Sequence, residues 1–349
     1  MNQGITSTKI HKPWTTESGF TFDAVDIAWK SWGTLNEKRD NVILICHALT
    51  GHASADEWFG GLFDQDGILD PDEHYILCVN VPGSCYGSTC PTSINPNTGN
   101  PWQADFPPIT IRDIVTFHQL LLDEWDIQGI ELVLGGSMGG MTALEFALMD
   151  DRVSSAAIFV MGKAHSPWAI GISEAQRMAI QADQKWKDGF YDPKDPPIRG
   201  IEAARAMAMI TYRTPENYKE KFSREVHPNK QIFQVESYLQ YQGKKLAERF
   251  DANTYIILSK AMDTHDVSRG RGTFKEVLGN LKIPVLVVGF DSDQLYPIHE
   301  QKELADLLPN STFAELSSPY GHDAFLIEFK QLNAQLKPFF RSLKKSHSS

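Results

Sequence analysis

A serine between pairs of glycines is the first feature of this sequence that points to chemistry. Ser137 lies in residues 131–146, ELVLGGSMGGMTALEF, where two glycines precede it and two more follow Met138. Glycine has an entropic cost in any regular element, so this cluster needs a steric reason. A serine hydroxyl becomes a good nucleophile only when a histidine removes its proton and a carboxylate orients that histidine. We therefore interpret Ser137 as a candidate nucleophile in a turn too tight for side chains.

The residues on either side of Ser137 predict a strand before it and a helix after it. In α/β hydrolases the pattern G-x-S-x-G forms such a turn, the nucleophile elbow, which lifts the serine hydroxyl above the sheet. Ser137 would then lie at a helix N-terminus, where backbone N–H groups favour developing negative charge. The pattern also arises by chance in glycine-rich turns without chemistry, so the interpretation depends on the flanking elements.

The base and the acid should follow the nucleophile, because α/β hydrolases carry their triad in the order serine, acid, histidine. Three histidines come after the apolar run PVLVVGF. His299 lies in a helical pattern and His347 in the C-terminal tail, whereas His322 lies in the loop SSPYGHDAF, after a strand. His322 is therefore the predicted base. For the acid, GFDSDQLYP offers Asp291 and Asp293, and the spacing leaves both open because one could cap the following helix.

Two backbone N–H groups should stabilise the oxyanion that forms when the serine attacks a carbonyl. One belongs to the residue after the nucleophile, here Met138. The other should come from the loop after the strand at 41–49, where CHALTG places Leu49 beside a turn. His47 in the same stretch is expected to brace the loop rather than to act as a base.

The elements around these residues alternate between buried strands and helices. Near-continuous apolar runs are typical of parallel strands covered on both faces, and helical spacings separate them. This alternation predicts an α/β fold with a mostly parallel sheet flanked by helices. Residues 23–33 are predicted to add an antiparallel strand at the sheet edge. The predicted strands of the parallel part are residues 41–49, 75–81, 130–136, 154–162, 284–290 and 312–316.

The alternation stops between residues 163 and 282, where helical stretches are separated by proline and turn residues. We interpret this segment as a helical lid inserted into a single core. The predicted division is residues 1–162 and 283–349 for the α/β-hydrolase core, with 163–282 as the lid.

Composition restricts the class of protein. The 349 residues are 42% hydrophobic and 22% charged, which is ordinary for a globular protein. The net charge of −11 argues against nucleic-acid binding, and the basic tail RSLKKSHSS is expected to be solvated. The absence of a long apolar run and of a secretory signal predicts neither a membrane span nor export. Four cysteines without a C-x-x-C pair predict reduced thiols in the cytoplasm and no metal site.

Several longer blocks of the sequence are more specific than the triad pattern. They are CHALTG, NVPGSCYGSTCPTSINPNTGNPW, DFPPITIRDIV, GGSMGGMTALEFA, AMITYR, FDANTYIILSKAMDTHD, GFDSDQLYP and GHDAFLIE. Together they resemble the homoserine O-acetyltransferase family, a group of α/β hydrolases, and the similarity extends from about residue 25 to about residue 329, nearly the whole chain.

The resemblance implies roles for individual residues. It identifies Ser137 as the nucleophile, His322 as the base and Asp293 rather than Asp291 as the acid. In GHDAF, Asp323 matches a carboxylate that holds the substrate amino group. The remaining matches lie in the lid, where Arg205 corresponds to an arginine that binds the homoserine carboxylate and Tyr212 to a tyrosine of the same site.

The same resemblance implies transfer of an acetyl group from acetyl-CoA to the hydroxyl of L-homoserine, in methionine biosynthesis. The expected mechanism is ping-pong through an acyl-serine, with acetyl-CoA as a substrate and no bound cofactor. A homodimer formed through the lid is also implied. The alternatives are a succinyl donor, serine as acceptor, or a serine esterase or thioesterase with the same triad. Two positions depart from the family pattern, Thr142 in place of glutamine and Cys90 in place of glycine before Pro91.

Overall fold

A sheet of eight strands crosses the computed structural model, which describes residues 4–346. Two further short strands, β2 and β3, pair with each other outside it. In chain order the strands are β1 (Thr6–Ile10), β2 (Trp14–Thr15), β3 (Thr21–Phe22), β4 (Val25–Trp32), β5 (Val42–Cys46), β6 (Tyr75–Val79), β7 (Ile130–Gly136), β8 (Ala156–Phe159), β9 (Val285–Phe290) and β10 (Ser311–Leu316).

The strand order in the sheet is β1-β4-β6-β5-β7-β8-β9-β10. Neighbouring strands from β6 to β10 are parallel, whereas β4 is antiparallel to both β1 and β6. The predicted mostly parallel sheet is therefore confirmed. The prediction that residues 23–33 form the edge strand is wrong, because β1 pairs along the outer side of β4. The sequence TSTKI of β1 is polar and mostly exposed, so it has no apolar pattern that would reveal it.

Twelve helices are described within residues 4–346, and the site depends on only some of them. Two of them, α1 and α2, are single turns. In chain order they are α1 (Ala55–Trp58), α2 (Gly60–Phe63), α3 (Ile111–Glu124), α4 (Met138–Met149), α5 (Pro167–Gln181), α6 (Ile198–Tyr212), α7 (Pro215–Phe222), α8 (Gln234–Ala247), α9 (Ala252–Asp263), α10 (Phe274–Gly279), α11 (Ile298–Leu307) and α12 (Phe329–Ser346).

The helices cover both faces of the sheet, and each face has its own hydrophobic core. Residues of β5 alternate between the two, with Leu44 in the core that contains α3, α4 and α11, and Ile45 in the core that contains α2 and α12. Every residue of β5 is buried, as expected for a central parallel strand. Helix α12 continues through Ser346, so the predicted solvated tail is helical up to that residue; the last three residues lie outside the described part.

In the chain, helices α5 to α9 come between β8 and β9, and they form a layer separate from the sheet. The segment that carries them leaves and rejoins the core at one place, where Ala164 forms an antiparallel bridge with Asp266. Beside it, the backbone N–H of His165 donates to the carbonyl of His265 at 2.8 Å. Helix α10 packs against α11 and belongs by contact to the core. The boundary at residue 282 stays a prediction.

None of the helices within residues 4–346 combines the length and the apolar character that crossing a bilayer requires.

Candidate active site

The turn at Ser137 joins β7 directly to α4. Ser137 has φ 57° and ψ −127°, a conformation that costs a non-glycine residue about 1–3 kcal/mol and that recurs at functional sites. Its backbone N–H donates to the carbonyl of Phe159 at 3.0 Å, which holds the turn against β8. A Cβ atom on Gly139 would lie 2.0 Å from the carbonyl oxygen of Cys46, so only glycine allows this approach. The interpretation of the glycines as a steric requirement is therefore confirmed.

His322 and Asp293 form a buried hydrogen-bonded pair at the C-terminal edge of the sheet. The distance between His322 Nδ1 and Asp293 Oδ2 is 2.7 Å. The other oxygen, Oδ1, accepts the backbone N–H groups of Leu295 at 2.9 Å and Tyr296 at 3.0 Å. The carboxylate oxygen accepts a hydrogen bond from Nδ1–H, so in the neutral ring it is Nε2 that carries the lone pair able to accept a proton.

The two candidate acids have different surroundings. Asp291 is exposed, and its Oδ1 accepts the backbone N–H of Ser318 at 3.3 Å. Asp293 is buried and contacts His322. The residue spacing could not choose between these two carboxylates. The structure places Asp293 beside His322, whereas Asp291 contacts the backbone of the loop that carries His322.

Aromatic rings surround the imidazole of His322 and fix its orientation. The ring centroids of Tyr296, Tyr212 and Phe325 lie 5.2, 5.5 and 5.6 Å from that of His322. Tyr296 is anchored in turn, because its hydroxyl lies 3.0 Å from Nδ1 of His165. The base is thus held by packing as well as by its carboxylate partner.

The loop after β5 carries Leu49 and lies beside the start of α4, whose first residue is Met138. The N–H groups of the first helical turn have no partner inside the helix, so that of Met138 is available to an oxyanion. His47 braces this loop: Nε2 accepts the N–H of Val81 at 3.2 Å, and Nδ1 lies 2.9 Å from the carbonyl of Ala48. Burial lowers the pKa of His47 to about 4, which keeps the ring neutral.

An arginine from the lid also holds the loop after β5 that carries Leu49, the predicted oxyanion loop, and no sequence pattern indicated this role. Arg249 follows α8 and donates from Nη1 to the carbonyl of Thr50 at 3.0 Å and to the hydroxyl of Tyr86. Thr50 lines the same cavity as Ser137. The lid and the oxyanion loop are therefore joined by a direct hydrogen bond.

Of the predicted triad, Ser137 and His322 line one cavity of about 80 Å³, and the three predicted substrate-binding residues line it too. Asp293 contacts His322 but is not among the residues that line the cavity. Arg205 lies on α6 with its guanidinium 5.5 Å from the ring of Tyr212. Asp323 directly follows the base. The cavity therefore combines a nucleophile and base with one cationic and one anionic side chain. Leu49 also lines it, and Met138 is buried next to Ser137.

The opposite wall of the cavity carries polar side chains that the sequence analysis missed. Gln176 on α5 accepts the hydroxyl of Tyr255 at 2.7 Å, and Ser173 lies one turn before it. His165 is buried, and burial lowers its pKa to about 3, so it is neutral. The alternating helical pattern of the lid predicted helices, but it could not show which face would line the cavity.

The comparisons with known proteins agree with this geometry. The α/β hydrolase fold model matches residues 41–329. Homoserine O-acetyltransferase from Chlorobium chlorochromatii is 50% identical over 337 residues, which cover 95% of this chain and 94% of that protein. The chain belongs to the homoserine O-acetyltransferase family.

Solved structures of proteins with different names share the fold of this chain almost equally well. The homoserine O-acetyltransferase of Bacillus anthracis matches with a TM-score of 0.87 and 27% identity over 97% of both chains. Esterase E22 matches with a TM-score of 0.88 and 24% identity, over 96% of this chain and 100% of that one. The second likeness shows the fold alone. The predicted family and the predicted α/β-hydrolase fold are both confirmed. The fold does not determine the reaction, because an esterase and an acetyltransferase share it.

The two departures from the family pattern lie away from the reacting groups. Thr142 donates its hydroxyl to the carbonyl of Met138 at 3.0 Å inside α4. Cys90 is buried, with its Sγ 3.1 Å from Oγ1 of Thr92, and it is not among the residues that line the catalytic cavity. Of the histidines considered as base, His299 lies on α11, and His347 is outside the described residues.

Replacing Asp293 with asparagine should lower the rate of acylation of Ser137 by about 10³–10⁴, because His322 loses its charged partner and its fixed tautomer. Asp291→Asn is the matched control in the same loop and should stay within a few-fold of the wild type. Stopped-flow release of CoA from acetyl-CoA measures both rates. The opposite ranking of the two variants would move the acid to Asp291.

Proposed function

We propose that this protein transfers an acetyl group from acetyl-CoA to the hydroxyl of L-homoserine, a step of methionine biosynthesis, through an acyl-serine. The single observation that carries the proposal is the cavity in which Ser137 and His322 are accompanied by one cationic and one anionic side chain. Arg205 and Asp323 complement the carboxylate and the ammonium group of an amino acid. An esterase acting on simple esters needs neither charge.

In the first half-reaction, His322 Nε2 accepts the proton of Ser137 as its Oγ attacks the thioester carbonyl. The oxyanion forms next to the N–H groups of Leu49 and Met138, and each such donor contributes about 10²–10³ in rate. The thioester C–S bond breaks, and CoA leaves with the proton from His322. The acetyl group is then an ester of Ser137.

In the second half-reaction, the acceptor binds with its carboxylate at Arg205 and its ammonium group at Asp323, beside Tyr212. His322 accepts the proton of the acceptor hydroxyl, whose oxygen attacks the carbonyl carbon of the acyl-serine. The ester bond to Ser137 Oγ then breaks, His322 returns the proton to Oγ, and O-acetylhomoserine leaves. Water would compete for the same intermediate. The layer of helices α5 to α9 covers the cavity, and exclusion of water by this lid favours transfer over hydrolysis.

We also propose that the molecule is a homodimer joined through the lid. Large apolar side chains are exposed there, among them Ile210, Val226 and Tyr241, which are 56%, 60% and 60% exposed. Exposed apolar groups concentrated on one layer are typical of a protein interface.

Sedimentation equilibrium should give twice the chain mass of 39.2 kDa, and Ile210→Asp should shift the measured mass toward that of the monomer. A monomeric wild-type protein at micromolar concentration would contradict this part of the proposal. A cytoplasmic location stays a prediction.

Acetyl-CoA alone should release about one equivalent of CoA as Ser137 is acylated, and steady-state release should be rapid only when L-homoserine is present. Ser137→Ala should abolish both. Thiol titration measures CoA, and mass spectrometry of the protein shows whether an acetyl group of about 42 Da is attached. Succinyl-CoA and L-serine, tested in the same assay, should be poorer substrates. Steady-state release that is equally fast without homoserine would make the protein a thioesterase, and an acetylated Ser137→Ala protein would identify a different nucleophile.

Arg205→Ala should lower kcat/KM for homoserine by about 30-fold or more, since the loss of a buried charged contact costs about 2–5 kcal/mol. Acylation of Ser137 by acetyl-CoA should stay near the wild-type rate, because the acceptor is absent from that step. Arg199→Ala removes an exposed arginine from the same helix and is the control. Single-turnover measurements separate the two steps. Equal slowing of both would remove Arg205 from the acceptor site.

A further inference from the structure

The C-terminal end of α6 is docked on the loop that carries the base. The ring of Tyr212 packs against that of His322, and the hydroxyl of Thr214 donates to the carbonyl of Pro319 at 2.9 Å. Gly321 has φ +60°, and a Cβ atom there would lie 3.1 Å from the carbonyl oxygen of Tyr212. The backbone of the lid and the backbone of the base loop are thus in direct contact at this point.

Between Tyr212 and Thr214, the side chain of Arg213 reaches the carboxylate that follows the base. Its Nε lies 2.9 Å from Oδ2 of Asp323, and both side chains are more than four-fifths buried. The Nε–H is not aligned with the oxygen, so the contact is an ion pair rather than a linear hydrogen bond. The guanidinium also lies 5.6 Å from the ring centroid of Tyr320. Asp323 lines the catalytic cavity, whereas Arg213 is not among the residues that do.

Several charged or titratable groups face the carboxylate of Asp323. Arg213, Arg205, His322 and Asp293 act on it, and the hydroxyls of Tyr212, Tyr218 and Tyr238 interact with its charge as well. Burial raises the pKa of Asp323 above its usual range, and the two arginines lower it. A buried carboxylate that has to receive a cation must stay ionised before that cation arrives, and a nearby fixed positive charge favours the ionised form.

We propose that Arg213 is a positioning residue for the acceptor: it holds Asp323 by Oδ2 and leaves Oδ1 to the ammonium group of the incoming amino acid. The inference rests on the proposed function, because it assigns Asp323 to the ammonium group of the acceptor. Arg205, in contrast, lines the cavity and is the arginine that meets the acceptor carboxylate. The two arginines therefore have separate tasks, one inside the cavity and one behind its wall.

The proposal concerns recognition of one functional group, so a substrate that lacks this group tests it. 4-Hydroxybutyrate has the carboxylate and the hydroxyl of homoserine but no ammonium group. The wild-type protein should prefer homoserine, and the preference is the ratio of the two kcat/KM values. Arg213→Gln should lower this ratio at least tenfold, mainly through kcat/KM for homoserine. A purely structural defect would slow both acceptors equally and leave the ratio unchanged.

Matched variants make the comparison specific. Asp323→Asn should lower the ratio as Arg213→Gln does, and Arg213→Lys, which keeps the positive charge, should restore much of it. Arg199→Gln on the same helix should leave the ratio unchanged. Acylation by acetyl-CoA, measured without acceptor, should stay near the wild-type rate in Arg213→Gln, which shows that the variant is folded and that its triad works.

The pH dependence gives a second readout. Loss of Arg213 removes a positive charge from Asp323, so the pKa of its carboxyl rises and the carboxylate is lost at a higher pH. In Arg213→Gln, the acidic limb of kcat/KM for homoserine should therefore move to higher pH. The limb for 4-hydroxybutyrate should not move, because that acceptor needs the same His322 but not the charge of Asp323. A shift of one pKa unit corresponds to about a tenfold loss at a pH below both values.

The outcomes separate the positioning role from the proposed function. A wild-type protein that acetylates neither acceptor would overturn the proposed function and this inference with it. A wild-type protein that acetylates both acceptors with equal kcat/KM would show that Asp323 does not bind the ammonium group. If the wild type prefers homoserine and Arg213→Gln keeps both the preference and the acidic limb, Arg213 has no positioning role although the proposed function stands.

Discussion

The backbone of α4 touches the end of β5 at Gly139, and the arrangement of the site depends on this contact. A glycine is required because any side chain would overlap the carbonyl of Cys46. The contact brings the first turn of α4 beside the loop that follows β5, so the N–H of Met138 and the residue Leu49 come from neighbouring segments. The turn just before this contact holds Ser137 at a positive φ of 57°. One close approach of two backbones thus brings the predicted nucleophile and its predicted oxyanion donors together.

The lid completes the cavity through buried or half-buried arginines that contact the core. Arg249 donates to the carbonyl of Thr50, and Arg213 pairs with Asp323. Within the lid, Arg177 is held by Asp263 at 2.7 Å, which ties α5 to the end of α9. Arg213 and Arg177 are paired with carboxylates, and Arg249 is hydrogen-bonded to two neutral oxygens. These hydrogen bonds and ion pairs therefore hold the lid helices in place over the cavity that contains Ser137.

The sequence predicted the parts of this structure that depend on periodicity and steric exclusion. The buried strands β5 and β9 were evident as continuous apolar runs, and the glycines around Ser137 predicted the elbow. The choice between Asp291 and Asp293 was beyond spacing, because the two lie two residues apart and only the path of the loop decides which one meets His322. The family resemblance supplied that choice. Arg213 and Gln176 were missed because their roles depend on how the lid helices pack. An arginine or glutamine that faces solvent on a helix has the same local sequence pattern as one that faces a cavity.

The bridge between Ala164 and Asp266 has a consequence for how this molecule can change over time. The segment between these two residues starts and finishes at the same point of the core, so its length and sequence can vary without altering the register of any strand. That segment contains Arg205, Tyr212 and Arg213, while Ser137, Asp293, His322 and Asp323 lie outside it. The lid side of the cavity can therefore be remodelled within one contiguous stretch of the gene, while the predicted triad and the carboxylate of Asp323 stay where they are.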